Sequence, residues 1–201
     1  MSLLPSRGPR ARAAALAPPR RRLIPLAGQL AQDTALAALL GGNLFGRLAM
    51  HPALTDVSDK SERGKVLNQA WRRYGTVNST ALLGLVGGWL ITRKDETSPL
   101  WTSPNRQRVV TIKDAAIGAV VVTGLASAVS GVGFAQQAPD GAVPMDSGSE
   151  PAPETPSRAA NLKHTVNALG GLNLAAELSL VGVNAWLERG VAPRRLAGRR
   201  L

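Results

Sequence analysis

The chain has 201 residues, a formal net charge of +11, no cysteine, and only four Trp, one Tyr and two Phe beside 21 glycines. The absence of cysteine excludes disulfides, zinc–thiolate sites, cysteine-ligated iron–sulfur clusters and thiol catalysis. A soluble core leans on aromatic side chains for buried area, whereas helices packed in lipid favour small residues that let backbones approach; this composition points to the second. The positive charge, mostly arginine, suits nucleic acid or a membrane face. It falls in blocks between apolar runs, the pattern of loops held at a membrane surface. The implied partner is therefore the lipid bilayer, and no nucleic acid is expected.

Residues 1–22 carry six arginines, four prolines and no acid, which predicts a disordered basic arm. A mitochondrial transit segment has the same make-up, but the Arg, Ala, Gly and Pro bias pervades the chain and resembles that of a GC-rich bacterial genome. The first apolar run, about 26–50, contains Gln29, Asp33, Asn43 and Arg47. With Leu36 and Leu40 these positions alternate steps of four and three and share one helical face. Beside three further apolar runs, the stripe reads as the interior side of a spanning helix, with Arg47 snorkelling to the outer interface. The connector 51–73 is charged. Thr55 or Ser58 is placed to cap a short helix there, whose Val66, Leu67, Ala70 and Trp71 face would lie on the membrane surface.

The second run, about 75–92, is uncharged and long enough to cross a bilayer core. Gly84 and Gly88 form a G-x-x-x-G pair, which suits a close helix contact. Thr111 and Asp114 have capping-box-like spacing and predict a third helix over 112–135. Small residues recur four apart in it (Gly124 with Ala128, Ser127 with Gly131), predicting tight packing against a neighbour. Residues 136–160 are rich in Pro, Ser, Gly and acid and predict a disordered loop. The fourth run, within 162–187, places Gly170, Asn173, Glu177 and Asn184 on one face, and a carboxylate at mid-bilayer should face protein or water. A basic tail, 191–201, follows.

Four spans put both termini on one side. Lys and Arg number six in the arm, five in 93–114 and five in 188–201, against five in 51–73 and two in 136–164. The positive-inside rule then places both termini in the cytoplasm. Phe45, Trp71, Tyr74 and Phe134 fall near the outer interface and Trp89 and Trp186 near the inner one, as an aromatic belt requires. Only Trp101 lies in a loop.

No phosphate loop, dinucleotide fingerprint or G-x-S-x-G elbow is present, and no cofactor is expected. Glu177 with Asn173 and Asn184 can relay a proton or bind a cation, or lock the bundle by hydrogen bonds. His51 and His164, both at outer helix ends, have the donor chemistry for a divalent metal, but their spacing is no metal motif. The third constellation is Asp33, Asn43 and Arg47.

A first span rich in small residues, then His51-Pro52-Ala53, then Trp71, Tyr74 and Asn78 at the start of the second span, resembles the anthrone oxygenase-like family of small four-helix membrane proteins. Asn184 matches too, and the likeness covers most of the four-helix core. The long loop 136–160 and the basic arms depart from the family's compact pattern. The resemblance implies a cofactor-free oxygenase acting on polycyclic anthrones, with His51 as the base that deprotonates the substrate and Trp71, Tyr74 and Asn78 around it.

The expected fold is all-α: a four-helix transmembrane bundle over 23–190 with disordered basic termini. The expected role is that of a polytopic membrane protein, structural or partner-binding, as a homo-oligomer or with another membrane protein. The alternatives are the oxygenase-like enzyme and a small carrier or channel built on the Glu177 stripe.

Overall fold

The computed structural model describes residues 20–97 and 103–189. Residues 1–19 of the basic arm, the tail 191–201 and Trp101 lie outside them. The described residues form an all-α bundle of four long helices: α1 (Arg20–Phe45), α2 (Lys60–Glu96), α3 (Pro104–Ala135) and α4 (Ser157–Arg189). α1 packs along α2, α3 along α4, and α1 meets α4 between the two pairs.

Several boundaries differ from the sequence expectation. α1 continues past residue 50 through a π turn at Gly46–Met50, a helical turn at His51–Ala53 and a 3-10 turn ending at Asp56. Pro52 has no N–H, and its ring crowds the carbonyl four residues earlier. The wider π turn accommodates this without ending the helix. The start of α2 is capped by Asp59, whose carboxylate accepts from Glu62 N at 2.8 Å, rather than by Thr55 or Ser58. The helix then runs unbroken for 37 residues, so the connector helix and the second apolar run are one element. α3 begins eight residues before the expected start. Ser103 caps it by accepting from Arg106 N, with Pro104 in the first turn, the position where a missing N–H is harmless. Asp114 is no cap residue: it accepts from Trp89 Nε1 at 2.8 Å and pairs with Arg93 at 2.7 Å, tying α3 to α2.

Gly84 and Gly88 do form a close contact, against α1. A Cβ at Gly84 would lie 3.3 Å from Ala35 Cβ, and one at Gly88 would collide with the Gly28 carbonyl and lie 2.8 Å from Gln32 N. The small residues of α3 behave differently. Gly131 faces open space, and a Cβ at Gly124 would meet its neighbours at ordinary distances, so the expected tight contact there is absent. Leu36, Leu39, Leu85, Ile117, Val120 and Leu180 fill the centre of the bundle.

The segment 136–160 is folded, contrary to its composition. It covers one end of the bundle, burying Val143, Met145 and Ala152. Val143 and Met145 join Leu54, Leu67, Phe134 and Ala159 in a second core. Its polar backbone is satisfied by distant side chains: Arg63 donates to Asp146 O (2.7 Å), Asn68 to Gly141 O (2.7 Å) and Asn167 to Ser149 O (2.7 Å). Lys60 pairs with Asp146 at 2.8 Å, and this hydrogen bond holds its ammonium above the ordinary lysine range. Prolines restrict the unfolded segment and so lower the entropy lost on ordering it. Two consequences correct the sequence reading. Leu67 is buried under the cover rather than lying on a membrane surface, and Phe134 is core rather than part of an interfacial belt.

Gly64 permits this close seating, because a Cβ there would strike the Val143 carbonyl. In an ordinary helix Gly→Ala stabilises by about 0.5–1 kcal/mol. Gly64→Ala should do the reverse, unseating the cover. Amide exchange over 143–152 should quicken while that of α4 stays slow; unchanged exchange would show that the contact does not hold the segment.

Among the described residues, three helices are long and apolar enough to cross a membrane: Leu23–Asp56, Pro104–Ala135 and Ser157–Leu187. Their outward faces are bare. Leu48 is 74% and Val129 73% exposed, and on α2 Leu83 is 75% exposed, while Glu177 is 1% exposed and Gln32 1%. Apolar side chains outside and polar ones inside is the arrangement that lipid rewards and water does not.

Candidate functional site

The polar stripes of α1 and α4 face each other. Asn43 Nδ2 donates to Asn173 Oδ1 at 3.1 Å and to the Glu177 carboxyl oxygens at 3.2 and 3.4 Å. Asn173 in turn donates to Val120 O at 2.9 Å and Thr123 Oγ1 at 2.8 Å on α3. The network therefore joins three helices and leaves the Glu177 carboxyl held by a neutral amide. Asn184, expected beside Glu177, instead donates to Asp33 at 3.3 Å, two turns further along. Leu36, Leu39 and Leu180 are buried between these two groups, so the stripe is interrupted by an apolar layer.

Arg47 does not snorkel outward. It crosses to α4, donating to Asn167 O at 3.1 Å. Gly170 makes the room, since a Cβ there would come within 2.8 Å of the guanidinium. Among the described residues Arg47 forms no ion pair with Glu177.

His51 lies under the cover. Its Nδ1 is 3.0 Å from Ser149 Oγ, its carbonyl accepts from Gly148 N at 3.2 Å, and Gly148 is in direct contact with it. Trp71 meets His51 edge-to-face with ring centroids 6.2 Å apart, and Tyr74 meets Trp71 in the same manner at 6.2 Å. Both rings sit on glycines of α1: Trp71 over Gly46 and Tyr74 over Gly42, with the Tyr74 hydroxyl donating to Ala38 O at 2.7 Å. Edge-to-face rings over glycine steps are a packing device. They also bring together three of the four residues singled out by the resemblance. Asn78 is half-buried one turn beyond Tyr74, and no hydrogen bond joins it to this cluster among the described residues. The Nε2 atom of His51 is buried with no hydrogen-bond partner among them.

His164 is exposed on α4, whereas its neighbour Lys163 is buried, its ammonium 5.9 Å from the centroid of Phe134. No hydrogen bond or ring contact joins the two histidines among the described residues. No group of three His, Cys, Asp or Glu residues that could hold a metal exists among the described residues.

Sequence reasoning missed a further polar group. Lys113, read as the polar start of the third helix, is 3% exposed inside the bundle and pairs with Glu96 at 2.6 Å while donating to Gln32 at 3.0 Å. Gln32 lies one position before Asp33, on the same broad face of α1. A wider polar arc was the available signal. Comparison of the chain with family models, with curated proteins and with solved structures finds no match.

Proposed function

We propose that the chain is a polytopic protein of the bacterial cytoplasmic membrane that acts as a structural or partner-binding component, with four spans and both termini in the cytoplasm. The carrying observation is the inside-out arrangement: interior polar groups hydrogen-bond one another across three helices while the outward faces are apolar. The α2 run 75–92 lies against the α1 span through Gly84 and Gly88, which supports counting it as a fourth crossing. The apolar layer at Leu36, Leu39 and Leu180 favours a lock over a continuous conduit along the Glu177 stripe. A mitochondrial membrane is the alternative location.

The cysteine-free chain makes the topology simple to test. Single substitutions Ser58→Cys and Glu154→Cys should react with a membrane-impermeant maleimide in intact cells. Asn105→Cys should react only after permeabilisation. Labelling of all three from one side would contradict four spans.

One observation favours the enzyme reading: the unpaired, buried His51 Nε2 with Trp71 beside it. If Ser149 accepts from Nδ1–H, Nε2 carries the lone pair a base needs. On this reading, vesicles holding the protein consume oxygen when given an anthrone, and His51→Ala abolishes the uptake without loss of fold. No uptake by the unaltered protein removes the reading.

A further inference from the structure

Where α1 begins and α2 ends, a cavity of about 160 Å³ lies between all four helices. It is far from His51 and separated from Glu177 by the apolar layer. Its wall carries a buried ion pair, Lys113 with Glu96, and Gln32, whose side-chain oxygen takes a second Lys113 hydrogen bond. Each of those two partners has a second polar atom that Lys113 leaves unused. Gln32 Nε2 and Glu96 Oε2 are buried with no hydrogen-bond partner among the described residues, and so are Arg106 Nε and Asn184 Oδ1. All four residues line this one cavity, and Gln32 is 1% exposed. Folded proteins leave few buried polar groups unpaired, and such groups point to a partner not drawn from the chain.

The four atoms are two donors and two acceptors. Around them the formal charges balance, with Lys113 and Arg106 against Glu96 and Asp33. A lone anion meets the two carboxylates, and a lone cation meets Lys113 and Arg106. A molecule with both an anionic oxygen and N–H donors satisfies all four: the oxygen accepts from Gln32 Nε2 and Arg106 Nε, and the ammonium donates to Glu96 Oε2 and Asn184 Oδ1. The volume is below that of sites for drug-sized ligands and suits a group of a few heavy atoms. We propose that this cavity binds a small zwitterion with a primary ammonium and an anionic oxygen group, the chemistry shared by a free amino acid and the phosphoethanolamine head group of a lipid. The proposal goes beyond the structural reading above.

The test uses the full chain in a non-ionic maltoside detergent. Calorimetric titration with glycine and with phosphoethanolamine should give saturable binding of at least one. Glycine betaine, whose ammonium has no N–H, should bind at least about tenfold more weakly, since it cannot satisfy the two acceptors. Glu96→Gln and Asn184→Leu should each weaken the bound probe by about tenfold. The betaine comparison needs no variant and so survives misfolding of either. Nanodiscs of phosphatidylethanolamine against phosphatidylcholine distinguish the sources. Retention of the first lipid alone through native mass spectrometry assigns a head group, and glycine binding without lipid retention assigns a free amino acid. If no primary-ammonium probe binds, or betaine binds equally well, the cavity holds only water and the proposal fails.

Discussion

Gly88→Leu should severely destabilise the folded bundle, while Gly87→Leu, one residue earlier, should leave it intact. At Gly88 the first side-chain carbon already meets the backbone of α1 at Gly28 and Gln32. Backbone cannot rotate aside as a side chain can, so α1 and α2 must separate. Overpacking by one or two carbons costs about 1–3 kcal/mol. Here four carbons are forced between helices that also bury Ala35, Leu36 and Leu85, and separation exposes that seam as well. A loss of this size is comparable to the roughly 5–15 kcal/mol total stability of a domain. At Gly87 nothing lies within 4 Å of an added Cβ, and replacing a helical glycine there gains about 0.5–1 kcal/mol of propensity. Thermal unfolding of the two purified variants checks the pair. Equal stability would show that α1 and α2 do not meet at Gly88.

Asn43→Leu should lower stability by about 1–3 kcal/mol, and a second change, Glu177→Leu, should restore most of it. The single variant leaves the nearly inaccessible Glu177 carboxyl without the amide that reaches both its oxygens, so the penalty is that of a stranded polar group. Removing both partners removes the stranded group, and apolar replacement of a buried polar pair is often close to neutral. Asn43→Ala and Asn173→Ala in a double-mutant cycle should couple by about 1 kcal/mol, the scale found for polar contacts between membrane helices. Chemical or thermal denaturation of the unaltered protein and these five variants measures both effects. Should Asn43→Leu and Glu177→Gln leave stability unchanged yet abolish proton flux into vesicles, the network is a transport element rather than a lock.

Much of the interior was legible in the chain because helical period and burial act locally. Asp33, Asn43 and Arg47 recur at steps that fix an inward face, while Gln29, at the start of the same stripe, is exposed. Asn173 and Glu177 share a face by the same arithmetic, and both meet Asn43. The Gly84–Gly88 step likewise marked a close approach without naming the partner. The reading failed where a residue's role depends on a group far away in sequence. Lys113 and Asp114 look like the polar start of a helix, but their partners Glu96, Gln32, Trp89 and Arg93 come from α1 and α2. Arg47 looked like an interfacial cation until Gly170 and the Asn167 carbonyl offered it a site across the bundle.

The segment 136–160 is the sharpest case. Its Pro, Ser, Gly and acid content argues for disorder, since so few apolar residues cannot offset the entropy of ordering by themselves. Val143, Met145 and Ala152 suffice only because Leu54, Leu67, Phe134 and Ala159 supply the other side of a core and Arg63, Asn68 and Asn167 satisfy the backbone. His51 shows the same limit from another side: the chain marks it at the end of a helix, and the cover decides that it is enclosed.

By itself, then, the sequence determined four helices and the inward stripes of α1 and α4, because periodicity and composition are local properties; it read all four as spans, whereas three among the described residues are long and apolar enough to cross a membrane. Only the tertiary structure decided that Asn43, not Asn184, holds Glu177, that 136–160 is folded, and that the orphaned atoms of Gln32, Glu96, Arg106 and Asn184 share one cavity. Those outcomes depend on which helices meet and at what depth, which no local pattern encodes.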